Sequence, residues 1–91
     1  MPEPSLVYAV SPDAAYAAVP GGGVVLHLGA NRYYSLNESA AAVWTLIDAG
    51  LAIDAIVERV AREFAIDAGT ASEAVARILA RFTDAGLVRH P

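Results

Sequence analysis

The stretch Val24–Trp44, VVLHLGANRYYSLNESAAAVW, constrains this chain more than any other. It holds two alternating runs and a helix start, joined with almost no slack. Val24, Leu26 and Leu28 alternate with Val25 and His27, the two-residue period of a half-buried strand. Gly29, Ala30 and Asn31 are turn residues. Arg32–Leu36 reads as a second, tyrosine-rich strand, and Asn37 stops it and caps a helix. If Leu36 faces the core, alternation turns Tyr34 the same way and Tyr33 and Ser35 outward.

The rest of the chain extends this unit. Met1–Ser5 has the look of a loose terminus, and Leu6–Val10 of a short strand or extended arm. Ser11–Pro12–Asp13 is a turn, and Ala14–Val19 is predicted as a strand because Pro20–Gly23 follows. PGGG reads as a flexible hairpin loop. It lacks the Lys and Ser/Thr at a helix start that a phosphate loop requires.

Three helices are predicted next. The first covers about Asn37–Ala49, with Glu38 in its first turn and Ala40, Val43, Trp44 and Ile47 on one face. Gly50 ends it, and Leu51 is placed to return to Leu46. The second covers about Ile53–Ala65, with Ile53, Ile56, Val57, Val60, Ala61 and Phe64 inward and a Glu58–Arg62 pair outside. The third covers Ala68–Ala85, capped by Asp67 and ended by Gly86, with Leu87 returning to Phe82. Its stripe is Val75, Ile78, Leu79 and Phe82, with Ala71 and Ala74 as close-packing positions. Glu73, Arg77 and Arg81 run beside it as a charged line. Strands first and three helices after predict an α+β fold, with the helices segregated to one side of an antiparallel sheet, residues 1–91 as one domain and 89–91 as a loose end.

Composition removes several kinds of chemistry. The chain has no cysteine, so disulfides, thiolate metal sites and thiol catalysis are excluded. The histidines are His27, mid-strand, and His90, next to the end. No serine sits in a glycine-flanked nucleophile elbow, and the carboxylates are scattered as helix caps and solvated residues. The expectation is a protein that is not an enzyme and holds no metal or cofactor. No secretion signal or bilayer-length apolar run is visible, so a cytoplasmic location without membrane contact is expected. The net charge is −4 and every cation is an arginine. Three short helices beside a small sheet also suggest a winged helix, and some winged helices bind DNA. Nucleic acid is not the expected partner here, because phosphate binding needs a cationic surface. A DNA-binding winged helix remains the alternative, separable by a duplex gel shift. A scaffold subunit that docks a larger enzyme is a further one.

The remaining surface chemistry is strand addition. An edge strand offers unpaired N–H and C=O groups to an extended guest, and a groove beside it supplies selectivity. The candidate peptide-binding residues are Arg32, Tyr33, Tyr34, Ser35 and Leu36 on the strand. On the third helix they are Val75, Arg77, Ile78, Leu79, Arg81 and Phe82.

The runs VVLHL, RYYSLNESAAAVWTLIDAG, IDAIVERVAREF and AVARILARFTDAGLV together resemble the PqqD-like family, over about Val24–Val88. These are small leader-peptide recognition domains of ribosomal peptide biosynthesis. Tyr33–Asn37, Val43–Trp44 and Ala85–Val88 are most similar to the free-standing version of lasso-peptide gene clusters. Versions from pyrroloquinoline quinone biosynthesis, where the domain is a peptide chaperone, usually carry Pro-Glu where this chain has Tyr33 and Tyr34. Lasso versions often carry Pro-x-Gly where Glu38, Ser39 and Ala40 stand. The resemblance implies a winged-helix-like fold, a three-stranded antiparallel sheet followed by three helices, in which the leader of a precursor peptide adds to Arg32–Leu36, against the face of Ala71–Phe82, and so adds Ala71 and Ala74 to the candidate peptide-binding residues. It implies that an aromatic, a proline and a leucine of the leader fill pockets near Tyr34, Val75, Ile78 and Leu79, and that an acidic leader residue pairs with Arg77 or Arg81. It also implies presentation of the precursor to a partner leader peptidase, a transglutaminase-like protease, with ring closure left to a separate ATP-dependent cyclase.

Overall fold

The computed structural model of the protein describes residues 7–89. The expectations for Met1–Ser5, for Leu6 and for His90 and Pro91 lie outside the described residues. In chain order the elements are β1 (Ala9–Val10), β2 (Ala14–Val19), β3 (Gly22–His27), β4 (Arg32–Asn37), α1 (Glu38–Asp48), α2 (Ile53–Glu63), α3 (Ala68–Asp84) and β5 (Val88–Arg89). Strands β2, β3 and β4 form an antiparallel sheet in that order, and β4 is an edge. The three helices follow it, an α+β arrangement. A second ribbon joins β1 to β5, with Ala9 opposite Arg89 and Val10 opposite Val88. Arg89, expected in a loose end, is therefore paired.

The helix ends form where their side chains dictate. Asn37 Oδ1 accepts the Ala40 N–H at 2.9 Å and caps α1. Asp67 Oδ1 accepts the Thr70 N–H at 2.6 Å and caps α3. That bond holds the Asp67 carboxyl below its ordinary range. Its contribution is present above the unfolded carboxylate pKa and is lost as pH falls through the lowered folded value. At the other ends Gly50 (φ 85°) and Gly86 (φ 72°) take the left-handed conformation. The Leu51 N–H then donates back to Leu46 O at 3.1 Å, and Leu87 to Phe82 O at 2.9 Å.

The second helix closes the same way with the wrong residue. Ile66 N–H returns to Ala61 O at 3.0 Å, and the left-handed position is Ala65, at φ 54°. An L-residue with a Cβ costs about 1 kcal/mol there. Ala65→Gly should raise the melting temperature by roughly 4 °C, as expected for a small domain gaining that much. An unchanged or lower midpoint in a thermal melt followed by circular dichroism would refute the strain.

One strand face left open by the pattern is settled, and one expectation is corrected. Alternation along Val24–Leu28 is real, but the buried member is Val25 at 0% exposure, while Leu26 (38%) and Leu28 (61%) face solvent. The outer face of the sheet is apolar too, so hydrophobicity alone does not tell which side is in. The glycine run is also not a loop throughout. Only Pro20 and Gly21 turn, with Gly21 at φ 81°, the position a type II turn gives to glycine.

Gly22 and Gly23 lie inside β3. Both approach neighbours too closely for a side chain. A Cβ on Gly22 would lie 1.9 Å from the Leu36 carbonyl oxygen, and one on Gly23 would lie 2.4 Å from the Tyr16 ring. The first obstacle is backbone and cannot swing aside. Gly22→Ala should therefore push β4 outward and cost about 1–3 kcal/mol, as overpacking does. Chemical denaturation measures it, and a midpoint equal to that of the parent would show that the strands do not touch there.

The core lies between the sheet and the helices. Val25 and Leu36 come from the sheet, Val43, Trp44 and Ile47 from α1, Ile56 and Val60 from α2, and Ala71, Val75, Leu79 and Phe82 from α3. Trp44 stacks on Tyr16 at 6.0 Å and meets Phe82 edge-on at 5.4 Å between ring centroids. Outside, Arg62 and Glu58 form the expected ion pair at 2.8 Å. No helix among the described residues is long and apolar enough to cross a membrane.

Candidate functional site

The open edge of β4 is the feature on which a site can be built. Its partner strand is β3, with Gly23 opposite Leu36, Val25 opposite Tyr34 and His27 opposite Arg32. In an antiparallel pair, both backbone groups of a residue point to the same side, and successive residues alternate. The Leu28 N–H donates to Asp13 O at 2.9 Å, toward β2. Val19 pairs with Gly22 across the two-residue turn, so Gly22 also points toward β2. Gly23, Val25 and His27 therefore point toward β4 and engage Leu36, Tyr34 and Arg32. The close approach of Leu36 O to Gly22 agrees with this phase. The backbone groups of Tyr33 and Ser35 are left facing outward. Among the described residues no strand takes them up.

Beside that edge a cleft of about 890 Å³ separates β4 from α3. Tyr33, Tyr34, Ser35, Leu36, Asn37 and Ala40 line one wall. Ile78, Arg81, Phe82, Asp84 and Ala85 line the other, and Leu87 closes it. Tyr33 is 72% exposed, which leaves a large ring at the mouth of the cleft. Leu36 and Phe82 are buried and make its floor, and Ile78 is half-buried. The result is an apolar trench along a row of unpaired backbone groups, which is what an extended polypeptide needs for affinity and selectivity.

The structure brings together seven of the residues singled out by sequence. These are Tyr33, Tyr34, Ser35, Leu36, Ile78, Arg81 and Phe82. Arg32 stands at the start of β4, exposed and off the cleft. The third helix divides its residues between two faces. Ala71 (0%), Val75 (0%) and Leu79 (4%) are turned into the core. Ala74 is half-buried and Arg77 exposed, and both lie one turn before cleft residues without lining it. The line of Glu73, Arg77 and Arg81 is exposed and makes no ion pair among the described residues. Sequence reasoning missed Asn37, Ala40, Asp84, Ala85 and Leu87. Ala85 is seven residues after Ile78, a spacing that would have found it. Asp84 carries no such signal.

His27 has a structural occupation. Its Nδ1 accepts the Ala30 N–H at 3.0 Å and braces the turn into β4. No group of three or more His, Cys, Asp or Glu among the described residues is placed to hold a metal ion.

No curated protein sequence matches the chain. Two solved structures are similar in fold. One is TbiB1 in complex with the TbiA(beta) leader peptide, at a TM-score of 0.84 and 22% identity over 89% of this chain and 94% of that one. The other is a lasso peptide synthetase B1 complexed with the leader peptide, at a TM-score of 0.82 and 18% identity over 91% of this chain and 98% of that one. The model of the coenzyme PQQ synthesis protein D (PqqD) family matches residues 22–88, from the first residue of β3 into β5. With most of its length inside that match, the chain belongs to the PqqD family.

Proposed function

We propose that residues 1–91 make up one recognition domain that captures the leader of a ribosomally made precursor peptide, in a lasso-peptide pathway, by adding it as a strand to β4. The observation that carries this reading is the outward-facing backbone of Tyr33 and Ser35 alongside the apolar cleft. Similarity to two structures that hold leader peptides supports it. The guest's backbone pairs with Tyr33 and Ser35. Its α3-facing side chains settle over Leu36, Ile78 and Phe82, with Tyr33 flanking them. The domain contributes no catalytic step and presents the captured precursor to a leader peptidase in the cytoplasm.

The test is a titration of isotope-labelled protein with the leader of the precursor made alongside it, read by amide shifts. The Tyr33 and Ser35 amides should move most, with Ile78 and Arg81 following. Shifts confined to other elements would sink the reading. A short DNA duplex at low salt serves as comparison. Glu73 and Asp84 flank Arg77 and Arg81 on α3, so no duplex binding is expected.

A further inference from the structure

We propose that Arg81 and Asp84 read opposite charges on the guest strand and fix its direction, so that the preferred guest carries an acidic residue followed two positions later by a basic one. This rests on the strand-addition reading above. Both side chains line the cleft and both are exposed. They stand three apart on α3, a spacing at which opposite charges often pair. Neither is in an ion pair among the described residues, so both charges remain available at the rim.

Their order along the cleft follows from the packing of α3. A Cβ on Gly86 would lie 3.4 Å from His27 Nε2, so the C-terminal end of α3 sits at the His27 end of the sheet. His27 pairs with Arg32, the first residue of β4. Asp84 is therefore nearer the Arg32 end of the edge, and Arg81 lies one step toward the Asn37 end. The sheet is antiparallel throughout, and antiparallel addition is the more stable mode. A guest running against β4 enters at the Asn37 end, passes Arg81 and then reaches Asp84. Three helical residues advance about 4.5 Å. Two strand residues advance about 6.8 Å. The length of the arginine side chain covers the difference.

The experiment selects a display library of random twelve-residue peptides on the full chain and on the double variant Arg81→Asp, Asp84→Arg. Both positions are exposed, and circular dichroism checks that the variant is folded. The parent should enrich peptides with an acid two residues before a base, among apolar neighbours. Exchanging those two residues in the best peptide should weaken its binding to the parent by about tenfold, the scale of two rim contacts turned repulsive. The double variant should prefer the exchanged peptide. Enriched peptides that shift the Tyr33 and Ser35 amides but show no charge order, or the reverse order, overturn this inference alone. An exchange that changes affinity less than twofold does the same, and needs only the parent protein. A selection that yields no peptide at this edge overturns strand addition as well.

Discussion

Ser35→Pro should leave the protein folded and weaken capture of the leader by roughly a hundredfold. Proline at this position removes one N–H and places its ring where that N–H pointed. At Ser35 that direction is outward, away from β3, because Gly23, Val25 and His27 hold Leu36, Tyr34 and Arg32 instead. The internal ladder keeps all its donors. Edge strands accept proline for this reason, and the cost to the fold should stay on the order of 1 kcal/mol. Binding loses more. One guest carbonyl is left without its donor, and the ring blocks close approach of the guest backbone, together about 2–4 kcal/mol on the scale of an unsatisfied buried acceptor. The leader's affinity should fall by roughly a hundredfold. Tyr34→Pro provides the opposite case. Its N–H faces Val25, so proline there should break the sheet and lower the melting temperature sharply. Unchanged leader affinity in a folded Ser35→Pro protein would exclude this edge as the binding site.

Much of this site could be read before any coordinates. The strand–cap–helix run from Arg32 to Trp44 combines alternation, an Asn37 cap and a heptad-like apolar face, and these signals agree with one another. Agreement of that kind fixed Tyr33 as the outward ring and Asn37 as the end of the strand. The glycines at 50 and 86 marked helix ends because the left-handed position admits few other residues. Ala65 escaped the same reasoning because alanine carries no such mark, and the structure accepts the strain.

What could not be read was mostly a matter of sign and distance. A period of two says that Val25 and Leu26 face opposite ways, not which of them is buried. With an apolar outer face, both choices satisfied the pattern. The third helix presents two adjacent apolar rows, Ala71–Val75–Leu79–Phe82 and Ala74–Ile78–Ala85, and only the position of the sheet decides which row is core. The pairing of Val10 with Val88 joins the two ends of the described chain through a ribbon two residues long on each side. No local pattern encodes such a contact. Gly22 and Gly23 looked like loop because glycine serves close approach and tight turning equally well.

Trp44→Ala should remove most of the protein's stability, and the reason lies in where the ring sits. Trp44 is 2% exposed and is among the largest fully buried side chains. It stacks on Tyr16 of β2 and meets Phe82 of α3 edge-on, so one side chain ties the sheet, α1 and α3 together. Removing a buried aromatic of this size costs about 3–5 kcal/mol. A chain this short has a total stability near the low end of about 5–15 kcal/mol. The loss should lower the melting temperature by about 12 °C or more, since each kcal/mol moves a domain of this length by about 4–8 °C. Phe82 also lines the cleft beside β4, so the damage reaches the proposed site: any folded remainder should bind the leader more weakly. Trp44→Phe preserves a ring against Tyr16 and Phe82 and should retain both fold and binding with a much smaller shift. Thermal melts of the two variants, followed by circular dichroism, make the comparison. A Trp44→Ala protein that melts within 5 °C of the parent would mean that the sheet and α3 are held together by something other than this ring.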